Sequence, residues 1–134
     1  MPVTKTKALA DFINVNRKSI KVSPDDNAVF KAMDTEFSVM TDDEADTAAK
    51  GAVLMSLVTI PFKDLHPYCR LGVTQECVDA LQDIGSEAIM SLYYLLNSPT
   101  DFVKEQLDKH GRAYYLASDN EENDENGFLI YRLN

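Results

Sequence analysis

Apolar positions along this chain switch between helical and strand spacing, and the switches divide it into elements. Ala8, Leu9, Phe12 and Ile13 stand three and four residues apart, which predicts an amphipathic helix over residues 4–14. Ile20 and Val22 alternate with polar neighbours, the period of a short half-buried strand over residues 19–23. Ser23-Pro24-Asp25-Asp26 carries a serine cap, a proline suited to the first helical turn and carboxylates that complement the helix dipole. With Ala28, Val29, Ala32, Met33 and Phe37 as its buried stripe, a second helix is predicted to run to about Met40.

Thr41 and Glu44 then form a capping box, opening an alanine-rich third helix that contains Gly51 and ends near Val58. Pro61, Pro67 and Gly72 break the pattern, and residues 59–73 read as an irregular but packed connection, since Phe62, Leu65, Tyr68 and Leu71 are too apolar for a loose linker. Cys77, Leu81, Ile84, Ala88, Leu92 and Leu95 keep one helical phase, so residues 74–97 are expected to form a single central helix bent at Gly85. Ser98-Pro99-Thr100-Asp101 starts a last helix, which Gly111 closes. Residues 112–118 and 128–133 are rich in aromatic and aliphatic side chains of strand preference, and the polar loop between them ends in Asn126-Gly127, a turn dipeptide. The expected fold class is α+β: predominantly helical, with about five helices, a C-terminal antiparallel β-hairpin and one short strand near residues 19–23, in a single domain over residues 1–134.

Composition fits that picture. A chain of 134 residues with 45% apolar side chains buries enough surface to fold without a disulfide or a metal. No run has the length of a secretory signal or a membrane span, the densest being residues 52–60. With only Cys69 and Cys77, in no repeated framework, two free thiols and a reducing, cytoplasmic location are expected.

Charge changes the picture more. Thirteen Lys and Arg face 22 Asp and Glu, a net −9, unevenly distributed. Lys5, Lys7, Arg17, Lys18 and Lys21 against Asp11 make residues 1–21 locally basic, and nearly all the acid lies beyond them. Such a field repels nucleic acid and anionic membranes and attracts basic surfaces.

Candidate chemistry is sparse. His66, Cys69, Cys77 and His110 nominally offer four zinc ligands, but without paired spacing, and Cys77 opens the apolar stripe of residues 74–97. A thiol nucleophile built from Cys69 and His66 lacks a recognisable framework. The loop from Asp119 resembles a calcium loop in composition only, because Asp124 and Ile130 occupy positions that require glycine and glutamate. The glycines are scattered singly, so no phosphate loop exists. No catalytic group, metal or cofactor is therefore expected. What remains is two acidic clusters: Asp42, Asp43, Glu44 and Asp46 at one helix start, and Asp119, Glu121, Glu122, Asp124 and Glu125 near the hairpin tip. They point to a non-enzymatic acidic protein-binding module, an inhibitor or antagonist whose carboxylates stand in for DNA phosphates on the basic surface of a nuclease, a nucleic-acid-binding complex or a toxin. The alternative is a homo-oligomeric assembly protein in which acidity serves solubility only.

Overall fold

The computed structural model describes residues 4–23 and 29–134. The chain divides into two compact units, residues 1–49 with 111–134, and residues 50–110. Among the described residues are seven α-helices and one five-stranded antiparallel sheet, so the α+β class holds while its elements differ from those expected.

The first unit carries the sheet. Helix α1 (Lys5–Ile13) is capped by the Thr4 hydroxyl, which accepts from Lys7 N–H at 3.1 Å, and ends at Asn14 in the left-handed region. Strands β1 (Ile20–Val22), β2 (Val29–Ala32), β3 (Thr35–Met40), β4 (Asn123–Glu125) and β5 (Phe128–Arg132) take the order β1-β2-β3-β5-β4. Ile20, Phe30, Ala32, Phe37, Val39 and Ile130 form one apolar face, packed on Leu9 and Ala10 of α1. On the opposite face Leu129 and Tyr131 pack against Ala45 of α2 (Asp42–Ser56) and against Ala113, Leu116 and Ala117, at and just after α7 (Arg112–Leu116). Both apolar faces of β5 are thus covered within this unit.

Three expectations are corrected here. The helix expected over residues 24–40 is instead the β2–β3 hairpin, in which Ala32 pairs with Thr35 across the two-residue turn Met33-Asp34. Phe30 and Ala32, then Phe37 and Val39, recur at a period of two and fill one sheet face, which outweighs the helical match. The start signal at Pro24, Asp25 and Asp26, with Ala28, lies outside the described residues. The strand expected over residues 112–118 is largely helical: Gly111, at φ 82, ends one helix and starts α7, whose Ala113 and Leu116, with Ala117 just beyond, stand at helical spacing against the sheet. The C-terminal hairpin is real, but its outer strand is the polar β4, joined to β5 by Asn126 and Gly127, both at positive φ.

The second unit is helical. It holds the later part of α2, α3 (Phe62–Leu65), α4 (Gln75–Ile84), α5 (Ile89–Tyr94) and α6 (Pro99–His110), with 3-10 turns at His66–Tyr68 and Ser86–Ala88. The third correction falls here: residues 74–97 are not one bent helix. Gly85 adopts φ 89 and ψ −144, a conformation essentially restricted to glycine, and α4 stops there. Leu57, Leu65, Val78, Leu92, Leu96 and Phe102 are buried. The connection over residues 59–73 packs through Leu65, with Phe62 and Tyr68 half-buried, but it is not irregular throughout, since it holds α3 and a 3-10 turn, and Leu71, expected to pack, is fully exposed. The Tyr68 ring meets Phe102 edge-on at 5.0 Å, and the Gln82 amide donates to the carbonyls of Leu57 and Ile60, satisfying acceptors just past the end of α2.

Candidate acidic interface

Members of the two acidic clusters, residues 42–46 and residues 119–125, meet in the first unit around Arg112. Its Nε and Nη2 donate to the two carboxylate oxygens of Glu122 at 3.1 and 3.0 Å, a bidentate pair. Its Nη1 donates to Asp42 Oδ1 and Asp46 Oδ1, each at 2.9 Å. Asp42 and Asp46 are one helical turn apart on α2, so both reach the same guanidinium. Burial works against the charge on Arg112, but the hydrogen bonds from Glu122, Asp42 and Asp46 outweigh it and hold the guanidinium pKa above its ordinary value. Tyr131, fully buried beneath, donates its hydroxyl to Glu122 Oε1 at 2.5 Å. Burial first, and then this bond to a carboxylate, push the phenol pKa up.

Glu44 has its own partner. Its Oε1 accepts from Thr41 N–H at 2.9 Å while Glu44 N–H donates to the Thr41 hydroxyl at 3.2 Å, completing the expected capping box. Lys5 of α1 stands 2.7 Å from the same carboxylate. The Lys5 hydrogen bond, followed by the backbone bond from Thr41, lowers the Glu44 pKa.

The remaining acidic side chains face outward. Asp119 accepts from Glu121 N–H and Asp124 from Gly127 N–H, which fixes the turns on either side of β4. Asp43, Asp119, Glu121 and Asp124 are exposed and Glu125 is half-buried. Asp43 and Glu44, with Met40 and Ala48, line a shallow depression of about 430 Å³. Asp119 and Glu121, with Phe12, Phe37 and the cation Arg132, line a second one of about 270 Å³ on the α1-facing side of the sheet, the face opposite Tyr131. All nine expected residues therefore lie in the first unit; Asp42, Asp46 and Glu122 pair with Arg112 and Glu44 with Lys5, while Asp43, Asp119, Glu121, Asp124 and Glu125 take part in no ion pair among the described residues.

Sequence reasoning missed Arg112, Tyr131 and Lys5. One signal was present: Arg112 is the sole Lys or Arg between Lys109 and Arg132, and so the only nearby countercharge for the acids that follow it. His66, Cys69, Cys77 and His110 gather no metal set; among the described residues no cluster of three or more His, Cys, Asp or Glu side chains could hold an ion. Cys69 and Cys77 are unpaired thiols, and burial, then the nearby Cys77, raise the Cys69 pKa, opposite to what an activated nucleophile requires. Among the described residues no helix is long and apolar enough to cross a membrane. Comparison with protein-family models, curated proteins and solved structures finds no match to this chain.

Proposed function

We propose that this chain is a non-enzymatic protein-binding module of the reducing cytoplasm whose acidic face docks on the basic, nucleic-acid-binding surface of a partner and blocks it by substituting carboxylates for phosphates. The observation that carries the reading is the convergence of Asp42, Asp46 and Glu122 on Arg112, which brings members of two distant acidic segments together. One guanidinium against three carboxylates leaves that group net negative while holding Asp42, Asp46 and Glu122 in place, so fewer side chains must be ordered on binding. Two depressions combine apolar and acidic lining, one with Met40, Asp43 and Glu44 and the other, on the α1-facing side of the sheet, with Phe12, Asp119 and Glu121 beside Arg132. Both suit lysine or arginine stems that lie on Met40 or Phe12 while their heads meet Asp43 or Glu121.

The test is capture from a lysate at low salt, followed by elution with duplex DNA and mass spectrometry. The comparison is a combined variant with Asp43→Asn, Asp119→Asn, Glu121→Gln, Asp124→Asn and Glu125→Gln. Asparagine keeps the acceptor oxygens that hold the turns, so the fold is preserved. The reading expects nucleic-acid-binding proteins that DNA releases and the variant fails to retain. An identical captured set with the variant overturns it.

A further inference from the structure

The two edges of the sheet in the first unit carry opposite charge. Edge strand β1 centres on Lys21, follows Arg17 and Lys18 of the preceding 3-10 turn, and pairs Lys21 directly with Lys31 of β2. All four cations are exposed, and among the described residues none takes part in an ion pair. Like charges directly opposed across two strands disfavour the pairing; Glu36 of β3 opposes Lys31 on its other side, and Lys21, on the open edge, has no such carboxylate opposite it among the described residues. At the far edge, β4 carries Asp124 and Glu125 and follows Glu121 and Glu122, the last of these paired with Arg112. Among the described residues neither strand has a second neighbour.

We propose that copies of this chain associate head to tail, the basic β1 edge of one against the acidic β4 edge of the next. Two β1 edges repel, and so do two β4 edges, which excludes symmetric edge pairing and leaves the unlike contact attractive. The register supports it. Each successive strand pair in the sheet is antiparallel, so β1 and β4 run in the same direction. Repeating the sheet by translation therefore lays β1 of one copy parallel to β4 of its neighbour with the faces preserved. Lys21 pairs with Lys31 and Lys31 with Glu36; Asp124 pairs with Leu129 and Leu129 with Met40. Glu36 and Met40 share a face of β3, so Lys21 and Asp124, each the middle residue of its strand, project from the same face of the joined sheet. Translation thus brings an ammonium and a carboxylate side by side while the open strands exchange backbone hydrogen bonds. No other protein is required, so this association stands or falls separately from the docking reading.

Sedimentation velocity of the full chain tests it. At low salt and rising concentration, species larger than the monomer should form, and high salt should dissociate them. Lys21→Glu or Asp124→Lys alone should abolish them. An equimolar mixture of the two variants should associate again, because the first keeps its acidic edge and the second its basic edge. Circular dichroism checks the fold, and Lys21→Gln with Asp124→Asn replaces any variant that unfolds, each then weakening association. A wild type monomeric at every concentration in low salt, which would make the edge charges guards against aggregation only, overturns the proposal. So does an Asp124→Lys variant that self-associates like wild type.

Discussion

Arg112 is the countercharge on which the acidic face is organised, and Arg112→Met isolates its role by keeping an unbranched stem while removing the guanidinium. The pairs with Asp42 and Asp46 involve side chains that are 74% and 51% exposed, so each is worth only about 0.2–1 kcal/mol. The Glu122 pair is bidentate, with both side chains about a quarter to a third exposed, and contributes about 1.5–3 kcal/mol. The substitution should therefore cost about 2–4 kcal/mol, including the repulsion among three carboxylates left facing one another. With a urea dependence of about 1–3 kcal/mol per molar, the unfolding midpoint by circular dichroism should fall by roughly 1–2 M. Salt should restore part of the loss by screening the released carboxylates. Faster hydrogen exchange at the β5 amides would place the effect in the first unit, because Tyr131 and Glu122 are joined there. A variant as stable as wild type, at low salt and with unchanged β5 exchange, would refute the view that Arg112 organises this surface.

Other substitutions test single contacts. The Tyr131 phenol is held above its ordinary 10.0, so the folded state keeps a proton that the unfolded chain loses; its stabilising effect is complete below about pH 10 and declines as pH rises toward the folded value. Tyr131→Phe should cost about 1–2 kcal/mol at neutral pH and show a shallower alkaline loss in urea midpoints than wild type, and parallel curves would contradict this. Glu44 has the opposite sign: its lowered pKa stabilises the fold above the ordinary 4.5, and that contribution disappears as pH falls through the folded value. Glu44→Gln should thus lower stability by about 0.5 kcal/mol at neutral pH, a small effect because the side chain is 47% exposed, and match wild type in strong acid. Gly85→Ala meets no atom within 4 Å, so its expected cost of about 1–3 kcal/mol arises from backbone strain alone; an unchanged melting temperature would show that the break between α4 and α5 does not depend on it.

Elements whose signals are local could be read directly. Thr4, Thr41 and Thr74 all precede helices, with α2 opening on its Thr41-Glu44 box, and Asn126-Gly127 makes the turn it advertises. Elements decided by tertiary packing could not. Met33 takes a left-handed φ of 56 while 76% exposed, so the turn that makes residues 29–40 a hairpin carries no glycine or asparagine to mark it. Residues 112–116 have strand-like composition but become helix because Ala113 and Leu116 pack on β5, while the poor strand formers Asn123, Asp124 and Glu125 gain order from pairing with Phe128–Ile130. The acidic candidates could be chosen from charge alone. Their meeting at Arg112 could not, because it depends on α7 being a helix and on β5 lying between the two clusters.

The central claim is that residues 42–46 and 119–125 present one surface to a basic partner. Titrating the isotopically labelled chain with an arginine-rich peptide, and following backbone amide shifts by NMR, measures this directly. The account predicts the largest changes at Asp43, Glu44, Glu121 and Asp124, saturating together and vanishing in high salt. Changes of equal size at the carboxylates of α4 and α6 would contradict it, since they would show charge acting without a site.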